Sequence, residues 1–144
     1  MRQSLSEKRT ALIAVGLSVL LAVIAIVDQA GSRSLLDHAT SAYASHGKQA
    51  SAGALYGLLY GVAVLDVLLW LAVAGLARSH RLVAAVLGVV ATLITASLGL
   101  TLLLVSEYGV HPYTTLWGVL ALLPAAAGAV ATALLFRRKQ GDTP

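Results

Sequence analysis

Long apolar runs alternate with short polar breaks along the chain, and four of the runs can cross a hydrocarbon core of about 30 Å. The first spans 11–27, between Arg9 and Asp28. The second spans 54–77 and ends before Arg78, and the third spans 82–105 and stops ahead of Glu107. The fourth spans 115–136 and is closed by Arg137, Arg138 and Lys139. Each run is continuous rather than alternating and well beyond the roughly 10 residues of a membrane strand, so each predicts a helix. The expected fold is all-α: one integral membrane domain over 1–144, an antiparallel bundle of four transmembrane helices.

The breaks differ in kind. Arg78-Ser79-His80-Arg81 is a tight turn, which makes the second and third spans antiparallel neighbours. The first break is long, about 22 residues from Gln29 to Ala50. Within it Ser34-Leu35-Leu36-Asp37 reads as a capping box, and Leu35, Leu36, Ala39 and Tyr43 share a face, with Gly47 as a stop. A short amphipathic helix is expected there, on the outer membrane surface or over the bundle mouth, as a tether or as a lid. Gln140 to Pro144 reads as a frayed tail.

Small residues recur on one face of three spans. They are Ala11, Ala14, Ser18, Ala22 and Ala25 in the first, and Ala84, Gly88, Thr92, Thr95 and Gly99 in the third. In the fourth they are Thr114, Gly118, Ala121, Ala125 and Thr132, with Pro124 and Gly128 expected to bend the helix. Lipid tails are as apolar as leucine, so helices associate through such close contacts, and the stripes predict a common interior. The second span has two distinguished faces. Gly53, Gly57 and Gly61 form a GxxxG ladder, the candidate packing or oligomer face, and Asp66 lies opposite it.

Asp66 is the one acidic or basic side chain well inside a span, where an ionised acid costs roughly 2.5–3.5 kcal/mol on an insertion scale. Thr92 and Thr95 fall at its depth on the third span, so the three form the candidate proton or polar intramembrane site, with Asp66 turned inward and hydrogen-bonded to one of those hydroxyls. Two roles stand open for Asp66: a protonated acid that fixes helix register, or a proton or cation site whose charge changes during transport. With Asp66 inward, the glycine ladder must face outward, toward lipid, a second copy or a partner helix.

Composition and charge narrow the function. The hydrophobic fraction is 58% and the charged fraction 11%, where about 25% charged is ordinary for a soluble domain. That excludes a soluble enzyme and a nucleic-acid binder. The net charge of +4 comes from Lys and Arg at the ends of the runs. Eight flank the termini and the second break, and two, Arg33 and Lys48, lie on the other side, so both termini are expected to be cytoplasmic. The first run is expected to be an uncleaved anchor, because a cut after Ala30 would leave Asp28 where a signal peptidase wants a small residue. With no cysteine there is no disulfide, thiolate metal site or thiol nucleophile.

Asp28, Asp37, His38, His46, Glu107 and His111 gather on the outer side without metal-ligand spacing, and read as solvated loop residues. Tyr56, Tyr108, Tyr113 and Trp117 read as an interfacial aromatic belt. There is no phosphate loop, catalytic triad or carboxylate pair, so no catalytic residue, metal or cofactor is expected.

His38, Ala39, Tyr43, Ala44 and Gly47 precede Leu-Tyr-Gly-Leu-Leu-Tyr at 55–60, and Glu107-Tyr108-Gly109 and Trp-Gly-Val-Leu-Ala-Leu-Leu-Pro at 117–124 follow the Arg-flanked turn. Across nearly the whole chain this order resembles uncharacterised four-span bacterial inner-membrane proteins of the DoxX-like group. The resemblance implies a four-helix membrane fold in the inner membrane and no particular activity. The expected function is that of a non-enzymatic accessory subunit, or a binder of a lipid or small apolar molecule. Membrane lipid is the expected partner, with a homodimer or a membrane partner protein beside it. The alternative is a proton-coupled small-molecule transporter acting as an oligomer around Asp66, and a structural tether comes third.

Overall fold

The computed structural model describes residues 2–137, with side chains from residue 5 onward. Arg138, Lys139 and the tail Gln140–Pro144 lie outside the described residues. The described chain forms five helices: α1 (Arg2–Ala30), α2 (Ser34–Ala44), α3 (Ala52–Ser79), α4 (Arg81–Leu104) and α5 (Thr115–Arg137). All but α2 are long and apolar enough to cross a membrane, so the protein is a multi-pass integral membrane protein built as an all-α bundle. Most helices run past the apolar stretches that announce them. Backbone hydrogen bonding continues into polar sequence, so hydropathy marks the lipid-embedded part rather than the helix end.

The four long helices form a ring in which α1 packs on α3 and α5, and α4 packs on the same two. Its helix contacts are rich in small residues interleaved with a few large ones such as Leu21, Leu59 and Trp70, and its outside carries Leu, Val and Ile such as Ile13, Val23, Leu68, Leu93 and Val130. This inversion of a soluble bundle follows from the solvent, since a leucine gains little by leaving lipid whereas a glycine lets backbones approach. A Cβ on Gly99 would lie 2.7 Å from Leu122 Cδ2, and one on Gly118 2.7 Å from Leu103 Cδ1. Leucines of α4 and α5 thus fill the recesses that each other's glycines leave. Across the diagonal, the indole of Trp70 lies on Gly128, where a Cβ would be 1.9 Å from Cζ2.

Buried apolar side chains fall into two clusters. One, at the end carrying α2, joins Leu21, Leu35, Tyr56, Leu59, Leu102 and Trp117. The other, at the end carrying the termini, joins Ala11, Trp70, Val73, Ala84, Ala91 and Leu135. Ser18, Asp66 and Thr95 belong to neither and are fully buried.

The short helix takes the second of its two expected positions. Leu35, Ala39 and Tyr43 are buried in the first cluster, so α2 lies over the bundle mouth. Its start differs from the expected capping box. Arg33, in a left-handed conformation (φ 52), precedes the helix without a side-chain cap, and Ser34 is already helical. The cap comes instead from Asp28, as described next. At the far end Gly47 (φ 65) turns the chain three residues beyond Ala44.

Candidate functional site

Asp66 sits near the middle of α3, turned into the bundle and fully buried, with neither carboxylate oxygen meeting a hydrogen-bond partner in the protein. One turn further on, Trp70 is equally buried and its indole N–H is also without a partner. Depth can be counted from the Tyr56–Asp28 hydrogen bond of 2.6 Å, which ties α3 to α1. Ten residues inward on each helix, roughly 15 Å at the helical rise, lie Asp66 and Ser18. From the other end, Thr92 and Thr95 of α4 stand 12 and 15 residues past His80 and Asp66 stands 14 before it, so the three share a level.

Asp66 and Thr95 are buried, whereas Thr92 is half-buried and lines a groove between α4 and α5, and the expected Asp66–threonine hydrogen bond is not made. Thr95 Oγ1 donates within its own helix to the carbonyls of Ala91 (2.9 Å) and Thr92 (3.2 Å). Thr92 Oγ1 donates to the Gly88 carbonyl (2.8 Å), and Ser18 Oγ to that of Ala14 (2.9 Å). A hydroxyl inside an apolar span has a carbonyl four residues back always within reach, and that local bond wins over one across helices. On α5, Pro124 is buried and brings no N–H, which leaves the Leu120 carbonyl without its usual helical donor.

Gly53, Gly57 and Gly61 are exposed, and a Cβ on Gly57 or Gly61 would meet nothing within 4 Å. The ladder therefore faces away from the bundle, as the inward Asp66 demands. Beside it an apolar groove of about 340 Å³ opens sideways between α1 and α3, floored by Ser18, Ala22 and Ala63 and walled by Val19, Val64 and Leu68.

The most connected acid is one the sequence reading left among solvated loop residues. Asp28, at the end of α1, is buried, and its carboxylate accepts five hydrogen bonds. Oδ1 receives the hydroxyls of Ser32 and Ser34 and the amide of Ser34 (2.9 Å). Oδ2 receives the amide of Leu35 (3.1 Å) and the hydroxyl of Tyr56. Two of the donors are free amides of the first turn of α2, so a side chain of the preceding helix caps this one. An acid just past an apolar run and six residues before a helix start was the available signal; Tyr56, 28 residues on, gave none.

Two further clasps hold α2. Tyr43 donates to Glu107 Oε2 (2.6 Å), and His38 Nε2 donates to the His111 carbonyl (3.0 Å). Burial, and then the hydrogen bond to Glu107, push the Tyr43 hydroxyl up to about 12. Tyr113 donates to the Leu55 carbonyl (2.9 Å), and burial raises it to about 12 as well. The aromatic belt is thus largely interior: Tyr56, Tyr113 and Trp117 are buried beneath α2, and Tyr108 alone of the four is exposed. Among the described residues no group of three or more His, Asp or Glu is arranged to hold a metal.

Comparison with family models, curated proteins and solved structures found no match.

At the terminal end Arg81 does more than mark topology. It donates to the Leu135 carbonyl through Nη2 (2.6 Å) and Nε (3.0 Å), capping the last turn of α5, and its Nη2 lies 3.4 Å from Oε1 of the buried Glu7. Side chains thus bridge the helices at both ends of the bundle, and grooves among the described residues open sideways between them.

Proposed function

We propose that the chain is a non-enzymatic integral membrane protein that works through its lipid-facing surface, as an accessory subunit or as a binder of a lipid or small apolar molecule. The observation supporting this reading is the direction in which the surface opens. α2 with its clasps lies over one mouth and Arg81 ties α4 to α5 and Glu7 at the other end, while the α1/α3 groove opens toward the hydrocarbon. Its volume of about 340 Å³ lies within the roughly 300–1,000 Å³ of small-molecule sites. Shape and dispersion contacts would select the occupant there, because lipid supplies no hydrophobic driving force. Ala22→Phe fills the groove. Native mass spectrometry from lipid nanodiscs should find an apolar adduct on the wild type and less on the variant; equal adducts would refute the reading.

On the same reading both termini face the cytoplasm of a bacterial inner membrane, supported by the placement of Lys and Arg. The outward ladder of Gly53, Gly57 and Gly61 is the surface offered to a partner helix or a second copy. Gly57→Leu with Gly61→Leu should then remain folded and lose that association in cross-linking.

A second reading, a proton-coupled transporter acting as an oligomer around Asp66, is favoured by the carboxyl without a partner. It requires that Asp66→Asn abolish coupled uptake in liposomes while the protein stays abundant. Uptake that survives Asn intact removes it.

A further inference from the structure

We infer that the layer formed by Ser18, Asp66 and Thr95 is a binding site for a monovalent cation stripped of its water, a proton or a sodium ion, with the Asp66 carboxylate as its charged ligand. The three side chains are fully buried, come from three different helices, and stand at one depth between the two apolar clusters.

The argument is one of hydrogen-bond capacity. The Ser18 and Thr95 hydroxyls have each committed their single hydrogen to a carbonyl of their own helix. What they still offer the bundle interior is lone pairs. The Leu120 carbonyl, deprived of its usual donor by Pro124, is an oxygen of the same kind between one and two turns toward the α2 end, since Gly99 meets Leu122 and Gly88 meets Thr132. An ionised carboxylate is acceptor-only too, so the layer is rich in acceptors and poor in donors. Among the described residues the buried donors without a partner are the Trp70 indole N–H, one turn along α3, and the Thr132 hydroxyl, one turn beyond Gly128 on α5; neither is charged, so neither offsets a buried carboxylate.

No fixed charge neutralises it. On α1 the described titratable groups are Glu7, Lys8, Arg9 and Asp28, and on α3 they are Tyr56, Tyr60 and Arg78. α4 brings Arg81 and α5 brings Arg137. Apart from Tyr60, on the α2 side, all lie toward the helix ends, at least two turns from Asp66, and among the described residues none pairs with it. Oxygen lone pairs around one negative group, without a basic side chain, suit a small bare cation: the proton, held as the carboxylic acid, or Na⁺, a hard cation bound by oxygen ligands.

The inference deepens the second reading above by naming the ion, yet binding is measured without transport, so the two fail separately. Infrared difference spectra of the wild type against Asp66→Asn in nanodiscs read the group directly. Raising the pH should replace a carboxylic C=O band, absent from the variant, by carboxylate bands. If KCl and NaCl give the same midpoint, the ion is the proton. If NaCl but not KCl converts the band at constant pH, sodium competes for the site. Ser18→Ala and Thr95→Val, both near-isosteric, should move the midpoint toward lower pH or higher sodium by about tenfold in cation concentration. A band that never appears, or that no pH or sodium change converts, overturns the site. Midpoints unmoved in both hydroxyl variants overturn the three-residue layer.

Discussion

Replacing Asp28 by alanine removes the acceptor of five hydrogen bonds at once, and the structure says which losses count. Ser32 and Ser34 are exposed, so their hydroxyls turn to water at little cost. The amides of Ser34 and Leu35 lose their cap, worth about 0.5–2 kcal/mol. The Tyr56 hydroxyl, buried with no other acceptor, adds about 1–3 kcal/mol as an orphan. The expected destabilisation is about 2–4 kcal/mol, concentrated in the docking of α2. Asp28→Asn should cost less, because its amide oxygen can serve the donors now on Oδ1, while its NH₂ faces the Leu35 amide. The assay is hydrogen–deuterium exchange by mass spectrometry in nanodiscs, with chemical unfolding followed by circular dichroism. Amides 34–44 should exchange faster in the order Ala, Asn, wild type, while those of α4 hold. Exchange of α2 at the wild-type rate in Asp28→Ala, or a stability loss below about 0.5 kcal/mol, would refute the cap.

Gly128→Ala drives a Cβ into the rigid indole of Trp70 and should cost about 1–3 kcal/mol, whereas Gly57→Ala, with open space around it, should be neutral or slightly stabilising in the same unfolding assay. Arg81→Met strands the Leu135 carbonyl and should cost about 1–3 kcal/mol, yet its double-mutant coupling to Glu7→Gln should stay within about 1 kcal/mol, since the contact is 3.4 Å long and Arg81 is 30% exposed. Tyr43 holds its proton up to about 12 in the folded protein against 10.0 in a free chain. Its contribution to stability is therefore complete below about pH 10 and lost as pH rises toward 12, so alkaline unfolding should be steeper over that interval in the wild type than in Tyr43→Phe. Single cysteines at Ser41 and Ser51, in a chain with none of its own, should label with an impermeant reagent from outside the cell; labelling only after permeabilisation reverses the proposed orientation.

Much of the architecture was legible because lipid imposes few solutions. Apolar runs of bilayer length must be helices, and Asp66 cannot face the hydrocarbon, which rotates Gly53, Gly57 and Gly61 outward without further information. What escaped were bonds between residues far apart in the chain. Tyr56 and Trp117 stand at span ends, where an aromatic residue usually meets the interface, and nothing local reveals that α2 covers them. Asp28 reads as a loop acid until the turn at Arg33 brings Ser34 and Leu35 back onto it. The threonines illustrate a different limit. Thr95 is buried and Thr92 only half-buried, and the choice between a carbonyl of the same helix and a carboxyl on another rests on distances of tenths of an ångström.

That α1 touches both α3 and α5 has a consequence for how the protein is made. Spans leave the ribosome in order, so both partners of the Asp28–Tyr56 bond are made before the second half of the chain exists. Arg81 must wait for an acceptor 54 residues downstream, and Trp70 waits equally for Gly128. Until the last span arrives the ring is an open trough with one of its four walls missing. A chain halted before Thr115 would carry Asp66 on that unfinished flank. The acid at the centre of the complete protein would then face the gap that α5 fills, at the cost of an acid in lipid.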